Sequence, residues 1–321
     1  MKTVIVIILL IIITFIYYRV SDSNIIDIVY TWVDEYDPER EEYKKLYKLP
    51  ESDGNTDSTR YDCSQELLYS IRSVYEYCSH WLGTIYIVVK DGQCPEFLDF
   101  SNPNIVLVKH SEIMPKNALP TFNSNAIELC IHKIKNLRNT YVYFNDDMFL
   151  GAQFNPVNNN GSICVNKIRS VNKYEKGSNT EPYSFLKSLY NTNYYGKKLL
   201  DADINITFVH TPSVCYKPWE QEMETILREN GLWEETVTSK FRQNTNIITS
   251  NCFRTFFYLT KKDRVSVVNW GDVVVYLKPG ECDIKFVPHF DVGAVPKECR
   301  ESFWDQMENR YPTLSPVEKI Y

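Results

Sequence analysis

Four short and almost wholly apolar runs, separated by stretches of helical spacing, constrain the fold of this 321-residue chain more than any other feature. They are Ile25 to Val33, Ile85 to Val89, Ile105 to Val108 and Tyr141 to Phe144. Successive rather than alternating apolar residues mean that both faces of each strand are covered, which is the pattern of a parallel sheet flanked by helices. Between the first two runs, Leu67, Leu68, Ile71, Val74, Tyr75 and Cys78 recur at helical spacing, and Asp62 and Gln65 stand three apart as an expected capping pair. Between the last two, Ile127, Cys130, Ile131 and Ile134 predict a helix over about 123–137.

Strands that alternate with helices make this an α/β chain with a mostly parallel, Rossmann-like sheet and helices on both faces. After Gly151 the pattern changes. Asn155 to Ser162 reads as a loop, helical spacing returns from Glu181 to about Leu259, and a β-rich tail follows at Val265 to Tyr276 and Ile284 to Val287. The expected division is an α/β half at 23–151 and a helical and β-rich half at 152–321. A hydrophobic content of 44% suits one substantial core, and a net charge of −6 argues against nucleic acid as a partner.

Val4 to Tyr18 is apolar or aromatic throughout except for Thr14. Its length is at the short end for a spanning helix and also fits a signal-peptide core. No small-x-small cleavage site follows, so residues 1–22 are expected to be an uncleaved, single-pass membrane anchor. Lys2 and Arg19 flank both ends and leave the orientation open. Nine cysteines without a C-x-x-C pair argue against structural zinc, and the odd number fits a reducing compartment at least as well as an oxidising one.

The chemistry gathers at Tyr141 to Gly151, where a strand runs into Asn145, Asp146 and Asp147. Open α/β sheets bind ligands at the C-terminal ends of their strands. Adjacent carboxylates repel, and Mg²⁺ or Mn²⁺ would relieve that; locally, a solvated Asn-Asp-Asp turn is an equal alternative. Asp27, inside an apolar strand, is costly to bury without a partner; a ligand-binding acid is the favoured reading over a structural acceptor. Asp34 and Asp37 before Pro38 fit a turn.

Three stretches carry a resemblance: Ile26-Asp27-Ile28-Val29-Tyr30-Thr31-Trp32-Val33-Asp34, Glu66 to Ser73, and Ile85 to Gln93 with Lys90-Asp91-Gly92. Together with Leu119-Pro120-Thr121-Phe122-Asn123-Ser124-Asn125-Ala126-Ile127-Glu128 and Asn145-Asp146-Asp147, they resemble the first two blocks of the Stealth family of hexose-1-phosphate transferases. That family includes capsular polysaccharide phosphotransferases and the N-acetylglucosamine-1-phosphotransferase α/β subunit. His210-Thr211-Pro212 and Phe241-Arg242 resemble a third block, and Asp291, Phe303-Trp304 and Tyr311-Pro312 a fourth. Asn246 stands where the family has Asp, Phe290 where it has Asn, and Cys63-Ser64-Gln65-Glu66 where it has Asp-Asn-x-Glu.

The resemblance implies transfer of a hexose-1-phosphate from a UDP-sugar, expected to be UDP-N-acetylglucosamine, to a polysaccharide or glycan acceptor with release of UMP. It implies that Asp146, Asp147 and Asp291 hold Mg²⁺ or Mn²⁺, and that His210, Arg242 and Asp27 complete the catalytic set. Trp32, Asp34, Arg72, Asp91 and Gly92 would contact the nucleotide-sugar donor. Two rival readings use the same residues: a glycosyltransferase that releases UDP, and a silent, membrane-anchored carbohydrate-binding protein.

Overall fold

A computed structural model describes residues 25–320 apart from 52, 57–64, 167–177, 179, 202–204, 207–209, 270–272, 276–281, 283–288 and 293–298. The expected anchor at 1–22, Asp62 of the expected capping pair and the expected strand at 284–287 lie outside the described residues.

The apolar runs become strands β1 (Ile26–Thr31), β2 (Leu82–Val89), β3 (Ile105–Lys109) and β4 (Thr140–Asn145). β1 lies parallel to β2 on one side and to β4 on the other, and β2 lies parallel to β3. A fifth strand, β7 (Ser213–Tyr216), joins the β4 edge antiparallel, so the sheet order is β3-β2-β1-β4-β7. Ile28, Val29, Tyr30, Val142, Tyr143 and Phe144 are all buried, as two covered faces require. A turn after β1 leads into α1 (Pro38–Leu46), with Asp37 as N-cap accepting from the Arg40 amide at 3.2 Å. The helix expected before β2 is α2 (Glu66–Cys78). Gln65 is its N-cap residue in the left-handed region (φ 65°) and makes no side-chain cap, which corrects the capping expectation.

The helix predicted over 123–137 is broken. α3 covers Ser124–Glu128, capped by the Asn123 side chain, and a separate 3-10 turn follows at Ile131–Lys133. Ala126 to Ile131 are all buried, and one continuous helix would spread those six side chains around its whole circumference. Breaking it also brings His132 and Lys133 to Glu224, at 2.8 and 3.0 Å.

The second half supplies β5 (Met148–Leu150), β6 (Ile163–Asn166), α4 (Phe185–Leu200), α5 (Lys217–Glu229) and α6 (Leu232–Thr238). It continues with α7 (Arg254–Leu259), β8 (Val265–Val268), β9 (Val273–Val275), β10 (His289–Val292) and α8 (Arg300–Arg310). β5, β10 and β9 form a second sheet, and β6 pairs with β8. These described residues of the second half mix helices with short strands. α8 packs Phe303 and Met307, with Tyr311 just beyond it, against Leu68 and Tyr69 of α2 and Phe149 of β5. Cys282 and Cys299 form a disulfide whose loop contains β10. No helix among the described residues is long and apolar enough to cross a membrane.

Candidate active site

The parallel strands end on one edge, and the polar residues of interest collect there. Thr31 stands beside Asn145 in the β1–β4 register, so both strands finish together. Asp146 and Asp147 form the whole turn between β4 and β5. Two residues leave no slack for these carboxylates to move apart. Burial raises the pKa of both above the ordinary carboxylate range, and the neighbouring Asp147 raises that of Asp146 further. Asp147 Oδ1 is buried with no hydrogen-bond partner among the described residues. A buried oxygen without a donor is unfavourable, and a divalent cation would satisfy it.

β10 runs antiparallel to β5 and sets Asp291 opposite Met148, one residue beyond Asp147. The backbone register thus sets position 291 next to that turn from 144 residues away (291 minus 147). Among the described residues no three His, Cys, Asp or Glu groups by themselves form a metal cluster.

His210 lies just before β7, and its Nε2 accepts from the Asn145 amide Nδ2 at 2.7 Å. Thr211, the next residue, is held by Asn166 at 2.9 Å and by the Asn251 amide, and Ser213 donates to Asn251 at 2.7 Å. Those bonds fix the imidazole over the end of β4. Burial lowers the His210 pKa to about 4; the Glu128 charge works against that shift and the Arg242 charge with it. The ring is neutral at pH 7, and its Nε2 lone pair is taken up by the Asn145 amide. Arg242 Nη2 donates to Ser124 Oγ at 2.5 Å, and its backbone is clamped by Asn55 at 3.0 and 3.2 Å. Its Nε is buried without a partner among the described residues, which leaves part of a forked donor for an anion.

Of the expected donor residues, Trp32 follows β1 and is 8% exposed, and Asp34 follows with its amide donating to Gln93 at 3.2 Å. Asp91 and Gly92 follow β2 and are exposed. Asp91 accepts from the Ser111 amide at 3.0 Å, and Gly92 has φ +90°, where a side chain would be strained. These four share the C-terminal edge with Asp146 and Asp147.

Asp27 and Arg72 do not. Asp27 pairs in register with Tyr141, four residues from the Asn145 level, or about 13 Å down the strand. Its carboxylate is fully buried and accepts from the Thr84 amide at 2.9 Å, the Arg138 amide at 2.8 Å and the Arg138 guanidinium at 2.6 Å. The catalytic assignment of Asp27 is corrected to that of a structural acceptor. Arg72 is buried against Glu318 at 3.0 Å, Glu308 at 2.7 Å and the Tyr311 carbonyl at 3.0 Å. It fastens the C-terminal segment to α2 and is corrected in the same way. Asn246 is fully buried and accepts from the Asn123 amide and the Gln243 N–H, both at 2.9 Å. The departure from Asp at this position therefore sits in an internal hydrogen-bond network.

Three residues at this edge lay in the motifs without being singled out. Glu128, buried at 7% exposure, accepts from the Ser250 amide at 3.0 Å and acts electrostatically on His210. Asn145 holds the His210 ring, and Ser124 holds Arg242. A carboxylate in the apolar run Ala126-Ile127-Glu128-Leu129 was the sequence signal for Glu128.

Residues 60–162 match the family described as Stealth protein CR2, conserved region 2. The chain is 31% identical over 244 residues to the capsular polysaccharide phosphotransferase cps1A of Actinobacillus pleuropneumoniae, covering 70% of this chain and 63% of the relative. It is 32% identical over 242 residues to the capsular polysaccharide phosphotransferase LcbA of Neisseria meningitidis, covering 72% and 60%. To the exopolysaccharide phosphotransferase SCO6023 of Streptomyces coelicolor it is 42% identical over 132 residues, covering 41% and 22%. It spans less than two thirds of the length of each of these relatives. Among solved structures a distant likeness is to the galactosyltransferase LgtC with donor and acceptor sugar analogs, at 11% identity and a TM-score of 0.42 over 92% of this chain and 98% of that one.

Proposed function

This chain belongs to the Stealth family through its conserved region 2, and from that we propose an enzyme of glycan biosynthesis that transfers a sugar phosphate. The donor is a nucleotide-diphosphate sugar, UDP-N-acetylglucosamine in the first instance, and the acceptor is a glycan hydroxyl. The observation that carries this reading is the Asp146–Asp147 turn, whose buried oxygen has no partner among the described residues, beside a neutral His210 and the Arg242 guanidinium on Ser124.

Asp146 and Asp147, with Asp291, are the residues that would hold Mg²⁺ or Mn²⁺, which supplies charge neutralisation for the diphosphate. The chain's own groups account for the rest. An acceptor hydroxyl that displaces the Asn145 amide from His210 Nε2 can give that nitrogen its proton as its oxygen bonds to the sugar-linked phosphorus. The bond from that phosphorus to the bridging oxygen breaks, and UMP leaves. Arg242 meets the charge on the phosphoryl oxygens with its free Nε and remaining N–H groups. Glu128 lies close enough to favour the imidazolium that forms.

The test is to incubate the protein with UDP-N-acetylglucosamine, Mg²⁺ and an oligosaccharide acceptor and to resolve the released nucleotide. UMP, formed only with the metal, is the expected product. UDP as the main product would replace phosphoryl transfer by glycosyl transfer, and no release from any of several nucleotide sugars would leave a carbohydrate-binding protein.

A further inference from the structure

Four aromatic rings close on one another beside Arg242. Tyr43 on α1 and Tyr47, one turn later, lie 6.2 Å apart with nearly parallel rings. Tyr43 stands 5.7 Å from Phe122, Phe122 stacks on Phe241 at 5.2 Å, and Phe241 meets Tyr47 edge-on at 5.9 Å. The Phe122 amide donates to the Lys240 carbonyl at 2.8 Å, which fixes the two phenylalanines side by side. They are the floor of the group, at 8% and 1% exposure. The tyrosines are its rim: Tyr47 is 48% exposed and Tyr43 partly so, and neither hydroxyl has a partner among the described residues.

The group is continuous with the candidate active site. Arg242 directly follows Phe241, and Ser124, which Arg242 grips, stands two residues after Phe122. Lys90, at the end of β2, lies 5.6 Å from the centre of the Phe122 ring. An apolar floor with two amphipathic rings at its rim, bordering the anion-holding arginine, suits a ligand that has apolar C–H faces and hydroxyls on its edges. A pyranose ring has that chemistry.

We propose that Tyr43 and Tyr47 form a subsite for a hexopyranose unit of the glycan acceptor, with the sugar face against the rings and its hydroxyls on the phenols. That the bound glycan is an acceptor rests on the transferase reading; the sugar binding itself does not. The subsite would hold the acceptor chain while a hydroxyl further along reaches His210.

The test is saturation-transfer NMR of the full chain with chitotetraose, cellotetraose and maltotetraose, each titrated for affinity. At least one should receive saturation from aromatic protons, and Tyr47→Ala should weaken its binding by about tenfold. Tyr47→Phe keeps the ring but loses the phenol and should weaken binding by about threefold, less than Tyr47→Ala does. Tyr36→Ala, which removes an 80%-exposed ring outside the group, should bind as the wild type does. Absence of binding by all three sugars, unchanged binding in a folded Tyr47→Ala, or displacement of the sugar by UMP would each overturn the subsite, the last because the rings would then be taking the nucleobase. Binding through Tyr47 without any UMP release from UDP-sugars would leave the subsite standing and remove the transferase reading.

Discussion

Asp147 and His210 are perturbed in opposite senses, and each predicts a pH dependence of its own sign. The carboxyl pKa of Asp147 is raised by burial, so without metal its contribution to stability is present below the ordinary carboxylate pKa and lost as pH climbs through the raised value. Metal-free protein should lose thermal stability over that interval, and Mn²⁺ should restore it. In Asp147→Asn the loss and the rescue should both be smaller, and turnover should vanish while the melting midpoint at neutral pH stays level or rises. For His210 the folded pKa is depressed to about 4, so its stabilisation is present above the unfolded value and lost as pH falls through 4. The acid limb of the rate profile should accordingly lie well below the ordinary histidine pKa, and His210→Ala should lower kcat by about 10²-fold. Activity of His210→Ala close to wild type would take it out of the mechanism. The Asp pair was legible because its strand and its turn are contiguous in sequence. The role of Asp27 was not: its partners Thr84 and Arg138 arrive from 57 and 111 residues away, and a buried acid looks the same in sequence whether it meets a substrate or an amide.

At the scale of elements, the strands were legible and the ends of helices were not. An all-apolar run declares a buried strand by itself, whereas the break at Leu129-Cys130 depends on Glu224, which lies 91 residues beyond Lys133. Asp27 ties the lower end of β1 to β2 and to the entry of β4, so Asp27→Ala should cost ~2–4 kcal/mol of stability, less than for a fully buried pair because Arg138 is 39% exposed. The check is chemical denaturation alongside kcat per folded molecule, which should hold; loss of kcat without loss of stability would return Asp27 to the catalytic set. The Cys282–Cys299 bond closes a loop with a sequence separation of 17 around β10. Reduction should cost ~3 kcal/mol by the loop-entropy relation and should lower turnover as well, since β10 carries Asp291. Equal rates with and without reductant would separate the bond from the site. The disulfide itself could not be assigned from nine scattered cysteines, because pairing is a matter of distance in the fold.

For the whole molecule, the first described strand begins at Ile26. Deleting residues 1–22 should therefore leave a cooperatively folding domain, and partition into detergent should be lost with the deletion if that segment is the anchor. A truncated protein that melts without cooperativity would place the segment in the core.

The Asp146–Asp147 turn joins a strand of the five-stranded sheet to a strand of the three-stranded one, and β5 finds its partner β10 only after a further 138 residues (289 minus 151) of chain. Contacts so distant in sequence close late, because the intervening chain must be ordered before they are rewarded. The five-stranded sheet is built from closer neighbours, so on refolding or on the ribosome it should acquire its amide protection first. Competence to bind metal should then lag behind the recovery of helix and strand signal, as a separate and slower phase.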